Sequence, residues 1–115
     1  MTDAVMNPDS SSDETLVLLN KQLGDPTFKS STRILILVLL ALNRKLSCGE
    51  LRKLTGLGKG SLENHLERLE LAGYVTTSNA KFIGERGAPR QIVEITKKGL
   101  EDCRALLKNI NSLNI

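Results

Sequence analysis

Gly56-Leu57-Gly58-Lys59-Gly60-Ser61-Leu62-Glu63-Asn64-His65-Leu66-Glu67-Arg68-Leu69-Glu70-Leu71-Ala72-Gly73-Tyr74-Val75 is the stretch on which the fold turns. Two glycines around Leu57 mark a tight turn that sends one apolar residue back toward a core. Leu62, Leu66 and Leu69 then recur at spacings of four and three, one stripe of a helix from Lys59 to Leu71. Gly73 supplies a left-handed stop, and Tyr74 to Ser78 has the composition of a strand. With the stripe turned inward, a rotation of ~100° per residue points Gly60, Ser61, Asn64, Glu67 and Arg68 outward and leaves His65 at the flank.

Upstream, Ser47 and Glu50 stand three residues apart, the spacing of a capping box. They predict a short helix from Gly49 to Thr55, entered through the extended segment Leu46-Ser47-Cys48, with Leu51 and Leu54 inward and Arg52 and Lys53 outward. Before it, Ser31 to Asn43 reads as a helix whose Ile34 to Leu42 portion has no polar face. Such a helix needs cover all round, from the first and last helices or from a second subunit. Asp13 to Leu23 carries Leu16, Leu19 and Leu23 on one stripe, stopped by Gly24, and Asp25-Pro26 opens a short helical turn. Residues 1–12, rich in Ser, Asp and Asn, read as a disordered acidic tail.

Downstream, Gln91 to Ile95 alternates as a second strand, and Gly84-Glu85-Arg86-Gly87-Ala88-Pro89 forms a turn-rich tip. Thr96 is placed to cap a last helix over 97–111, where Leu100, Cys103, Leu107 and Ile110 make a coiled-coil-like seam. The seam fits this chain's first helix or a partner's, and the period does not choose between them. The expected fold class is mainly α with a small β-hairpin wing. It is a winged helix-turn-helix with extra N- and C-terminal helices, forming one domain over 13–115, with the helix-turn-helix at 47–72, the wing at 74–95 and a dimerisation helix at 97–111.

At 115 residues the chain supports one modest core. Its net charge of +3 understates the basic surplus beyond the tail. Asp3, Asp9, Asp13 and Glu14 lie in the first fourteen residues without a Lys or Arg, leaving 16 basic against 9 acidic residues in the remainder. That surplus fits a polyanionic partner. Aromatics are only 3% (Phe28, Tyr74, Phe82), too few for a stacking platform that binds single strands. No secretory signal is read at the start, and the apolar run Ile34 to Leu42 is far short of the ~20 residues that span a bilayer, so a cytoplasmic setting with no membrane partner is expected.

Duplex DNA suits this order of elements, because its major groove admits one α-helix while a hairpin tip reaches the minor groove or backbone. Lys59 and the N–H groups beside Gly60 and Ser61 suit a phosphate. Asn64 can pair with adenine, and Arg68 can fork onto guanine or a phosphate. Glu63, Glu67 and Glu70 repel phosphates, so only the first two turns of the helix are expected in the groove. Lys81, Arg86 and Arg90 bracket the wing tip, followed by Lys97 and Lys98, and Arg86 between glycines fits a narrow minor groove.

From Leu57 to Glu70 and on through Ala72-Gly73-Tyr74-Val75, the chain resembles the recognition helix and first wing strand of small prokaryotic winged helix DNA-binding regulators related to the MarR and ArsR types. Ser31-Thr32-Arg33-Ile34-Leu35-Ile36-Leu37 is similar to their first core helix, and Ile95-Thr96-Lys97-Lys98-Gly99 to the Thr-x-x-Gly junction after their wing. The resemblance covers roughly residues 25 to 105. It implies a homodimeric regulator of transcription that binds operator DNA through helix and wing. Lys59, Ser61, Asn64, His65 and Arg68 are then groove residues, and Arg86 and Arg90 wing contacts. The acidic tail is outside the family pattern.

The alternative expectation is a winged helix used for protein–protein contact in a larger transcription-related assembly, for which the acidic flank Glu63, Glu67, Glu70 is the relevant feature. An enzyme is not expected, since His65 is the only histidine and no nucleophile has a base beside it. No cofactor or metal is expected either: Cys48, Cys103 and His65 offer no ligand spacing. Cys48 reads as a small core residue, with a redox role as the lesser option because a helix N-terminus lowers a thiol pKa. Any small-molecule effector is left open.

Overall fold

Short polar side chains at the heads of the helices set the element boundaries. A computed structural model describes residues 10–80 and 90–113. Helix α1 spans Ser10–Leu23, and a 3-10 turn Pro26–Lys29 leads into α2, Ser31–Asn43. Strand β1 (Lys45–Ser47), α3 (Cys48–Thr55) and α4 (Lys59–Leu71) follow. The chain then forms β2 (Val75–Ala80), β3 (Arg90–Ile95) and α5 (Lys97–Ser112). The Asp25 carboxylate accepts from Thr27 N–H at 2.8 Å, and Ser30 Oγ from Arg33 N–H at 3.3 Å. Each satisfies one of the donors that a helix start leaves open.

Ser47 and Glu50 form the full reciprocal box, each side chain accepting the other's backbone N–H at 3.1 Å. The bond from the Ser47 backbone, then that from its side chain, holds the Glu50 carboxyl below its ordinary value of 4.5. A depressed carboxyl adds stability above its unfolded pKa and loses it as pH falls through the folded one. Glu50→Ala is therefore expected to lower stability at neutral pH. Urea denaturation should show the gap from wild type narrowing as pH falls below 4.5 and through the lowered folded-state pKa of Glu50. A gap independent of pH would mean that the box is not formed in solution.

The sheet has the order β1-β3-β2, all antiparallel. Val93 lies opposite Leu46 on one side and Thr77 on the other, which makes β3 the central strand. The extended segment expected before α3 is thus a third strand rather than a simple lead-in. Ile36, Leu37 and Leu40 of α2 are fully buried against Leu51, Leu62, Leu69, Val75, Val93, Cys103 and Leu106. Phe28 closes the end of this core against Tyr74, with ring centroids 5.9 Å apart.

Several side chains lie elsewhere than their spacing implied. Helix α1 starts at Ser10 rather than Asp13, and residues 1–9 of the expected tail lie outside the described residues. Leu54 is exposed and not inward, because the one buried position of α3 is taken by Leu51. Helix α2 is not covered all round: α5 packs along it, but Leu35 and Leu42 remain exposed. The α5 seam divides, with Cys103 in the core, Leu100 packed against it, and Leu107 and Ile110 exposed. Leu106, one residue off the seam, takes the core position instead.

Candidate nucleic-acid interface

Burial of Leu62, Leu66 and Leu69 dictates what α4 shows to solvent. Lys59, Gly60, Ser61, Asn64, Glu67 and Arg68 are all exposed. The N-cap residue Gly58 contributes no side-chain acceptor, so the first-turn N–H groups have no side-chain cap. A 13-residue helix ending in uncapped donors carries partial positive charge there, and Lys59 adds a full one. A Cβ on Gly60 would meet nothing within 4 Å, so another molecule can approach that backbone closely.

The two flanks of α4 differ in charge. On the sheet side, Glu63, Glu67 and Glu70 line a shallow groove with Thr77 and Gln91. The Thr77 hydroxyl donates to the Glu70 carboxylate, 3.4 Å from either oxygen. On the α2 side, Arg33, Arg68 and Lys98 line a cleft with Asp25. Lys98 donates to the Ala72 carbonyl at 3.0 Å and lies 5.0 Å from the centre of the Tyr74 ring, so its charge serves the α4–β2 turn.

Of the eight residues read as DNA contacts, Lys59, Ser61, Asn64 and Arg68 are brought together on the exposed face of α4. His65 is half-buried and turned to the flank, where Arg33 Nη1 sits 3.3 Å from its Nδ1. Burial first, then the charges of Arg33 and Arg68, push the His65 pKa below 6.5. Arg90 is exposed at the start of β3, across from Glu50 and Lys53. Lys81 and Arg86 lie outside the described residues. Sequence reasoning missed Arg33; the available signal was its being the one charge in the apolar helix α2.

Cys48 packs against the core as a small residue, in line with its first reading, and the lesser option of an activated thiol finds no support. Burial, then the nearby Glu63 carboxylate, push its pKa up, and its Sγ donates to Gln91 Oε1 at 3.3 Å. Desolvation and a like charge outweigh the dipole of an eight-residue helix. Cys103 is buried, and burial raises its pKa as well. Among the described residues, no group of three or more His, Cys, Asp or Glu side chains is placed to hold a metal ion.

Residues 32–113 match the family model described as "Winged helix DNA-binding domain". Among solved structures, the transcriptional regulator homologue from Pyrococcus horikoshii OT3 is 31% identical, with a TM-score of 0.68 over 88% of this chain and 94% of that one. The transcriptional regulator Tm0710 from Thermotoga maritima is 24% identical, with a TM-score of 0.62 over 91% and 71% of the two chains. Overoxidized AbfR bound to DNA is 20% identical, with a TM-score of 0.65 over 90% and 74%. The last two share the fold. A search of curated proteins gives no match.

Proposed function

Because the chain belongs to the winged helix DNA-binding domain family, we propose that it reads a specific duplex sequence as a homodimer, with the N-terminal half of α4 in the major groove. It is a DNA-binding regulator of the winged helix type and not an enzyme. The observation that carries the finer reading is the exposed face of α4. Lys59, Ser61, Asn64 and Arg68 stand together there beside uncapped N–H groups. Lys59 and the helix start take a phosphate, Asn64 an adenine edge, and Arg68 a guanine or the adjoining backbone. The wing supplies Lys81, Arg86 and Arg90 to the minor groove or backbone. His65 stands apart from this set, because Arg33 already occupies its Nδ1.

The acidic flank limits the docking angle. Glu63 and Glu70 face the sheet, so the helix enters by its N-terminus and tilts its last turns away from phosphates. The same flank favours the second reading, a protein partner with a basic segment lying along Glu63, Glu67 and Glu70. Among the described residues, no helix is long and apolar enough to cross a membrane, and we place the protein in the cytoplasm with duplex DNA.

Selection of bound duplexes from a random pool tests this assignment. Arg68→Ala is expected to change the preferred sequence, at a cost of about 1–3 kcal/mol for the base pair it reads. Arg86→Ala should instead lower affinity for all duplexes and reduce the slope of log K against log salt by about 1. Absence of duplex binding at low salt would overturn the DNA reading and leave the protein-partner reading. Unaltered selection in both variants would mean that another face meets the DNA.

A further inference from the structure

Helix α2 is apolar except for its polar ends, Asn43 and the Ser31-Thr32-Arg33 start, and Arg33 is the one charge in it. That guanidinium is half-buried and spans two elements. Nη2 donates to the Pro26 carbonyl at 3.0 Å, and Nη1 lies 3.3 Å from His65 Nδ1. Its Nε is buried and meets no acceptor among the described residues. An unmet buried donor and a partly desolvated charge both cost stability, so packing alone does not account for an arginine at this place.

What the guanidinium does is hold α4. Arginine has no acceptor, so His65 Nδ1 must accept, which fixes a neutral imidazole with its proton on Nε2. Thr77 and Glu70 join α4 to β2 on the opposite flank. Between these two attachments lie Asn64, next to His65, and Arg68, one turn further on. A roll of α4 about its axis would swing both off the base edges they are placed to read.

We propose that Arg33, through its hydrogen bond to His65, is a positioning residue that fixes the roll of α4 against the 3-10 turn, a role that rests on the DNA-binding reading. His65 serves this pair rather than the groove. The charged groups around the imidazole are Arg33 from α2 and Arg68 on its own helix, with Asp25 and Lys98 lining the adjoining cleft. Protonation would turn Nδ1 into a donor facing a donor and set imidazolium against guanidinium. Acid must therefore release α4. A groove histidine does the opposite, because a gained positive charge raises affinity for any duplex.

The test uses the full chain and two probes: a duplex of about 30 bp selected by the wild type, and a scrambled duplex of equal length and composition. Lowering the pH from about 7.5 to about 5.5, across the histidine range, should reduce the selected-to-scrambled affinity ratio. The loss should approach about 10-fold, the worth of one well-placed base contact. Arg33→Met should show the same loss at neutral pH, with scrambled-duplex affinity within about threefold of wild type, since no phosphate contact is removed. His65→Gln, whose amide oxygen still accepts from Arg33, should keep the ratio and abolish its pH dependence.

Nitrogen NMR of the ring gives a readout that needs no DNA: Nδ1 bare in the wild type, and a higher His65 pKa in Arg33→Met. Should Arg33→Met fail to fold, the wild-type pH profile and His65→Gln still decide. A rise in affinity for both duplexes on acidification overturns the proposal and makes His65 a groove contact. So does an unchanged ratio in a folded Arg33→Met. Wild type that binds neither duplex overturns the DNA reading and the proposal with it, whereas failure confined to the variants leaves the DNA reading standing.

Discussion

Gly99→Ala is expected to destabilise the protein by about 3 kcal/mol, the upper end of the overpacking range, although alanine is the better helix former. A Cβ at Gly99 would overlap the carbonyl oxygen of Tyr74, while lying 2.9 Å from Ile95 Cγ1 and 3.1 Å from the Tyr74 carbonyl carbon. Two of these three atoms are backbone, and the Tyr74 carbonyl also accepts the Thr96 N–H at 2.9 Å. The Thr96 hydroxyl accepts from Gly99 N–H at 3.0 Å and donates to the Gly73 carbonyl at 2.7 Å. One small region thus ties the end of α4, the start of β2 and the head of α5. Moving α5 outward to admit a methyl group stretches all of these bonds together. The helix-propensity gain of about 1 kcal/mol does not offset that. Gly60→Ala is the control: its Cβ meets open space, and it should be neutral or stabilising by up to about 1 kcal/mol. Urea unfolding of the two variants decides the matter, and equal midpoints would mean that the junction yields easily.

This junction also shows how far the sequence could be read. Thr96-x-x-Gly99 was legible as a family pattern and as an N-cap, but the reason for glycine is a contact with Tyr74, 25 positions away, that no spacing reveals. Helix α2, the capping box of Ser47 and Glu50, and the core stripe of α4 were legible because each is a local rule written in adjacent residues. Strand β1 was hard to read because three residues are too few to alternate, and it exists through pairing with β3. Leu54 and Leu106 were misjudged because a two-turn helix and an offset seam each admit more than one inward face. On the candidate interface, the exposed side of α4 followed from its buried side. The bond from Arg33 to His65 did not, since it joins elements 32 residues apart. For Cys48 the helix dipole that suggested the lesser, redox option is visible in sequence, whereas the approach of Glu63 that counts against it is not.

The joint substitution Leu107→Glu, Ile110→Glu is expected to turn a dimer into a monomer while leaving the fold intact. Both side chains are already 46% and 42% exposed in the single chain, so a charge on each costs the monomer little. Leu42 of α2 is 76% exposed and Leu35 lies uncovered on the same side of that helix, which α5 packs along. Four large apolar side chains left to water by neighbouring helices are what an interface between copies would bury. A glutamate there would have to lose its hydration unpaired on dimerisation. Sedimentation should fall from twice the chain mass to 12.6 kDa. The DNA consequence is larger than that of any single groove residue. Two linked recognition helices about 34 Å apart read both halves of a palindrome, and unlinking them forfeits an avidity of about 100-fold or more. Affinity for a duplex carrying only one half-site should change much less, because the groove face of α4 is untouched. A variant that still sediments as a dimer would move the interface elsewhere, to other exposed apolar positions such as Val17 and Leu18 of α1 or Leu71 of α4. A wild type that is monomeric at micromolar concentration would remove the dimer from the mechanism. Recognition would then rest on one α4 and one wing per site.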